Sequence, residues 1–139
     1  MRRVYRWLPV VAVVLIVIAA ACGGQPGPAD LAPSPEPGVV RTEVTPAVTD
    51  IVFLETFPVQ VRLIVEGELP NPCSHLGWYV MPGDDQGRIE VALYADEPTE
   101  TACIQVVASY SQVIPIGAFE RGSYAVFLND QPVEEFVLP

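Results

Sequence analysis

Val59-Gln60-Val61-Arg62-Leu63-Ile64-Val65 places an apolar residue at every odd position, with Gln60 and Arg62 between them. Period two is the side-chain repeat of a strand, so Val59, Val61, Leu63 and Val65 share one face and the polar pair takes the other. The alternation recurs along the chain. Residues 88–95 put Ile89, Val91 and Leu93 inward and Glu90 outward. Ile104, Val106, Ala108 and Tyr110 make a third set, and Tyr124, Val126 and Leu128 a fourth. Phe136 and Leu138 belong to a last strand, residues 51–54 to a first. Turn chemistry separates them: GELPNPCS at 67–74, GDDQG at 83–87, a polar connection at 96–101 and Asn129-Asp130 as a tight turn. Pro58, Pro115 and Pro132 fall at strand starts or breaks, where an edge tolerates proline. Short strands with no helical period predict an all-β, antiparallel sandwich over residues 50–139.

About ninety residues bury one modest core, which benefits from a covalent staple. Cys73 and Cys103 supply it as a disulfide, the default state of such a pair outside the cytoplasm. A metal site would have to use His75, the one histidine in the chain, together with Cys73 and carboxylates. Zinc needs three or four protein ligands, so no metal is assigned and His75 is read as a loop or strand-start residue.

The chain opens with Arg2, Arg3 and Arg6, and residues 7–21 are an unbroken apolar run. At about 15 residues this is short for a spanning helix, which needs roughly 20, and it fits the core of a secretory signal. The run ends in Ala19-Ala20-Ala21-Cys22, which resembles the bacterial lipobox. That resemblance implies cleavage after Ala21 and a diacylated Cys22 as mature N-terminus. Two acyl chains hold a protein stably on a membrane without crossing it. Residues 22–49 follow with six prolines and several glycines. Such a segment favours neither helix nor ladder and reads as a spacer. The expected organisation is a signal peptide at 1–21, a lipidated linker at 22–49 and a folded domain at 50–139.

Beyond Ala21 the chain carries four arginines, no lysine and seventeen acids, a balance of −13. A surface so charged repels phosphate backbones and excludes nucleic acid as a partner. Nucleophilic catalysis is poorly supplied: no G-x-S-x-G, S-x-x-K or H-E-x-x-H is present, and one histidine would have to serve as base. The G-x-G-x-x-G and P-loop cradles are absent as well, so no cofactor is expected. Glu66, Glu68, Glu90, Glu134 and Glu135 read as a solvated sheet face, and Asp84-Asp85 as a turn. Trp78 and Tyr79 are adjacent and point to opposite sides of a strand. One is expected in the core and the other as a contact residue, because aromatics are favoured at binding hot spots.

Gly122-Ser123-Tyr124-Ala125-Val126, leading to Asn129-Asp130, resembles the penultimate strand of bacterial immunoglobulin-like domains. In those domains the tyrosine packs at a corner and bonds backbone. More broadly, residues 57–138 resemble small β-sandwich modules of exported bacterial proteins, found especially in Chloroflexota. Phe57-Pro58-Val59-Gln60-Val61, Leu69-Pro70-Asn71-Pro72-Cys73, Cys103-Ile104-Gln105 and Ile114-Pro115-Ile116 carry that resemblance. It implies an immunoglobulin-like sandwich and brings no activity with it. The expected function is therefore non-catalytic. A lipoprotein on the cell membrane or outer membrane presents an interaction domain, through a strand face carrying Gln60, Arg62, Glu90 and Trp78 or Tyr79, to an envelope protein or cell-wall partner. The competing expectation is a small envelope hydrolase or protease inhibitor using the acidic surface.

Overall fold

The alternating residues 59–65 open a strand in the computed structural model, which describes residues 32–81 and 83–139. Eight strands follow in chain order: β1 Val39–Glu43, β2 Val48–Leu54, β3 Val59–Leu69, β4 His75–Met81, β5 Arg88–Pro98, β6 Ala108–Phe119, β7 Gly122–Leu128 and β8 Gln131–Leu138. Among the described residues no helix is long and apolar enough to cross a membrane. The signal expected at 1–21 and the lipidation expected at Cys22 lie outside the described residues.

β2, β3 and β6 form one sheet in that order, all antiparallel. The second sheet is built on β5. β4 lies along one of its edges; β1 and β7 divide the other, with β8 beyond β7. The inward registers meet between the sheets as Val61, Leu63, Val65, Ile89, Val91, Leu93, Ile114, Ile116, Val126, Leu128 and Phe136, all buried. Each such side chain contributes about 1.5–3 kcal/mol through the water it leaves. Pro115 stands on β6, an edge strand, and Pro132 on β8, also an edge, as prolines in sheets require.

β1 takes the Tyr94–Pro98 half of β5 and β7 the Arg88–Val91 half. Asn129 closes the gap between them. Its Oδ1 accepts from the Leu93 amide at 2.9 Å, and its Nδ2 donates to the Leu93 and Val44 carbonyls at 2.9 and 3.1 Å. Asn129 and Asp130 have φ of 48° and 63°, the paired left-handed conformation of a two-residue hairpin turn. Gly87, at φ 77°, lies against the Ser123 carbonyl where any Cβ would collide. The Asp84 carboxylate accepts from the Gln86 and Arg88 amides, both at 2.9 Å, so the GDDQG loop is a carboxylate-pinned turn.

Several expectations need correction. Residues 39–49 are not linker, because β1 and the start of β2 are laddered; the sandwich begins at Val39. The sheets are not wholly antiparallel, since β5 and β7 run parallel. β3 continues to Leu69 and β5 to Pro98, shortening the turns expected at 67–74 and 96–101. Ile104 and Val106 are not strand residues. β6 pairing starts at Ala108 opposite Leu69, and β3 ends there, so the preceding residues have no strand to join.

Candidate interaction surfaces

Cys73 and Cys103 are joined as expected, with Cα atoms 6.1 Å apart at a sequence separation of 30. The bond ties the β3–β4 turn to the segment ahead of β6. Asn71, 1% exposed, supports the same turn: its Oδ1 accepts from the Cys73 amide at 3.0 Å and its Nδ2 donates to Glu97 at 2.6 Å. Chain from the N-terminal side reaches the sandwich here as well, since Val39 pairs with Pro98 and the Thr99 amide bonds the Gly38 carbonyl at 2.9 Å. His75 opens β4 with an exposed side chain. Among the described residues no three His, Cys, Asp or Glu side chains converge on a metal position.

The expected contact face is divided by the fold. Gln60 and Arg62 lie on the outer register of β3, whereas Glu90 and Tyr79 lie on the outer register of β5 and β4, across the core. Trp78 and Tyr79 do point to opposite sides, but neither is core. Trp78 is 37% exposed and Tyr79 36%, because β4 is an edge strand with nothing beyond it among the described residues.

The outer face of the five-stranded sheet is internally paired. Arg41 donates to both Asp96 oxygens at 2.7 and 2.6 Å and stacks on Tyr94, its Cζ 3.6 Å from the ring centroid. The hydrogen bond that Arg41 donates to Asp96 raises the Arg41 pKa further, so the guanidinium stays charged. The Tyr94 ring in turn lies over Gly77, where a side chain would strike it. Arg88 repeats the device on Phe127, with its Cζ 3.4 Å from the centroid, and pairs with Glu90. Glu66, Glu68 and Glu135 are exposed, as expected of a solvated face. Glu134 instead turns inward at the sheet edge and accepts from Thr49 Oγ1 at 3.1 Å.

At the end opposite the disulfide, the β2–β3 connection presents Phe57, 97% exposed. Beside it lies a mainly apolar cleft of about 300 Å³ lined by Phe57, Val59, Phe119, Leu138 and Pro139, with Glu120 and Arg121 at its margin. In the sequence Phe57 stands out only as part of a family pattern. Its signal is the aromatic placed before Pro58 in a turn, where nothing among the described residues packs over it. Beneath the cleft Phe119, Tyr124, Phe136 and Phe53 form a chain of ring contacts with centroids 4.8–5.8 Å apart. Tyr124 Oη donates to the Glu120 carbonyl at 3.2 Å, the corner bond the G-x-Y-x-V resemblance implied.

No curated protein and no solved structure matches the chain. Residues 63–138, more than half of the chain and the whole of β4 to β8, match the family model of the ORF11 beta-sandwich domain, and the chain belongs to that family.

Proposed function

We propose that this chain is a lipid-anchored, non-catalytic binding module of the bacterial cell envelope, held at Cys22 and docking through its Phe57 end. The carrying observation is the position of Phe57. It is 97% exposed beside an apolar cleft, at the end of the sandwich remote from where Val39 and Thr99 receive the chain from the N-terminus. An anchor at Cys22 therefore turns that end away from the bilayer. A partner contributes an apolar group to the cleft, and its surroundings are basic, complementing the balance of −13 beyond Ala21. Association then weakens as salt rises.

The test uses the full chain in a bacterial host. Palmitate labelling and membrane recovery are expected for the native sequence and lost together in Cys22→Ser; retention of both in that variant contradicts the anchor. A photocross-linking residue at position 57 is expected to give an adduct with one envelope component. The absence of any adduct contradicts the docking role of this end.

A further inference from the structure

We propose that the disulfide end of the sandwich rests on the lipid surface that holds Cys22, through the exposed apolar stretch at residues 104–107. The inference rests on the anchor reading and does not depend on what Phe57 meets. It starts from what crosses that end. β5 ends at Pro98 in the five-stranded sheet and β6 begins at Ala108 in the three-stranded one, so residues 99–107 pass over the end of the sandwich between them. The disulfide pins this crossing at Cys103 to the β3–β4 turn. Beyond the pin, Ile104, Val106 and Val107 are 68%, 54% and 65% exposed, and Val40 on β1 is 52%. Single exposed apolar residues are ordinary, but three within four positions form a patch of the kind that marks a contact.

The tether selects the occupant. Arg41 Nη1 donates to the Pro33 carbonyl, and the Gly38 carbonyl accepts from the Thr99 amide at 2.9 Å, so the chain is held on the sandwich from Pro33 onward. Ten residues lie between Cys22 and Pro33, a reach of no more than roughly 40 Å when straight and roughly 20 Å as a flexible coil. As a coil the tether is shorter than β5, which runs 11 residues at about 3.3 Å each. A bilayer that holds Cys22 therefore meets the end that receives the chain before it meets the Phe57 end. So short a tether also sets a high effective concentration, and a contact too weak to bind lipid unaided is occupied once Cys22 is anchored.

Charge sets the kind of lipid. From Thr101 to Phe119 the chain has no Asp, Glu, Lys or Arg, although its balance beyond Ala21 is −13. The acids around this end are Glu36, Glu68, Asp96, Glu97 and Glu100. Asp96 is paired with Arg41, and Glu97 accepts from Asn71 Nδ2 at 2.6 Å, which leaves Glu36, Glu68 and Glu100 exposed. These three repel an anionic surface, so the contact is apolar and favours a zwitterionic one.

The experiment takes the full chain, processed in a bacterial host, into phosphatidylcholine vesicles that carry a nitroxide in the headgroup region. One version has a fluorescent residue in place of Gln105, another in place of Phe57. Quenching at 105 is expected to exceed that at 57 by at least roughly threefold, since apolar residues settle at the headgroup boundary. Val106→Glu with Val107→Glu is expected to lower quenching at 105 to the level at 57 while the chain stays with the vesicles. Both side chains are exposed, so the fold is kept. Adding phosphatidylglycerol is expected to weaken the contact and salt to restore it. Chain missing from the vesicles contradicts the anchor at Cys22, and the inference falls with it. Vesicle-bound chain quenched equally at 105 and 57, quenching unmoved by the two glutamates, or stronger quenching on phosphatidylglycerol overturns the lipid contact while the anchor stands. In the envelope, a photocross-linker at 105 is expected to capture lipid; capture of a protein there, a second copy included, overturns the contact as well.

Discussion

Along the flank where β2 meets β8, Phe53 reaches the Phe136 ring edge-on at 5.5 Å and Thr49 bonds Glu134 at 3.1 Å. Along the flank where β4 faces β6, a cleft of about 560 Å³ separates Val80 from the Pro115–Phe119 stretch. Trp78 stands partly open at that flank. Both flanks end in edge strands, yet the strands of the bridged one carry inward and outward acids and β4 and β6 carry none of their own. Acid reaches the open flank from elsewhere: Glu66 of β3 accepts from Ser111 Oγ at 3.0 Å, and Asp84 lines the cleft. The difference teaches that the two flanks are closed by different means, one by side chains that bridge the sheets and the other only by the strands beneath it.

The comparison breaks first on aromatic truncation. Phe136→Ala removes a nearly buried ring from contact with Phe53, Phe119 and Tyr124 and is expected to cost about 3–5 kcal/mol in urea unfolding. Trp78→Ala, on the open flank, is expected to cost less, about 1.5–3 kcal/mol, because 37% of that residue is already in water. Equal costs would mean that the two flanks are packed alike.

Asn129 sharpens the same contrast, since it holds the ends of β1 and β7 on β5 beside the bridged flank. Asn129→Ala loses three bonds to backbone and an easy left-handed conformation, an expected cost of about 2–3 kcal/mol by urea titration. Asn129→Gly keeps the conformational freedom and should fall between Ala and native. If Gly is no better than Ala, the side-chain bonds account for the whole effect.

The smallest effect is on β6. The Tyr110 hydroxyl is buried without a partner among the described residues, and burial raises its pKa. Tyr110→Phe is expected to add up to about 1 kcal/mol by removing that unsatisfied group. The folded state holds the phenol protonated, whereas the unfolded chain ionises near pH 10. Native stability therefore falls as pH rises past 10 and that of Tyr110→Phe falls less. Parallel urea midpoints from pH 8 to 11 would contradict it.

The alternation at Val59–Val65, 88–95 and Tyr124–Leu128 was legible because each strand there has one face on the core. The disulfide was legible once Cys22 was assigned to the lipobox resemblance, which leaves Cys73 and Cys103 as a pair. β1 was not, because its five residues follow a proline-rich stretch whose composition dominates the reading, and its pairing to β5 is remote in sequence. Ile104 and Val106 were misread for the opposite reason. Their local pattern favours a strand, but β3 ends before it could pair with them. The contact face failed on a third ground, since Gln60 and Arg62 resemble Glu90 and Tyr79 in polarity but belong to another sheet. Period two tells which residues share a strand face and nothing about which strands share a sheet.

Hydrogen exchange on the full chain, resolved to single amides, tests the contrast between the flanks most directly. The laddered amides of β2 and β8, whose flank is bridged by Phe53–Phe136 and Thr49–Glu134, are predicted to be the better protected. The laddered amides of β4 and β6, beside the open cleft, are predicted to exchange faster. Equal protection on the two flanks, or greater protection of β4 and β6, would contradict the account.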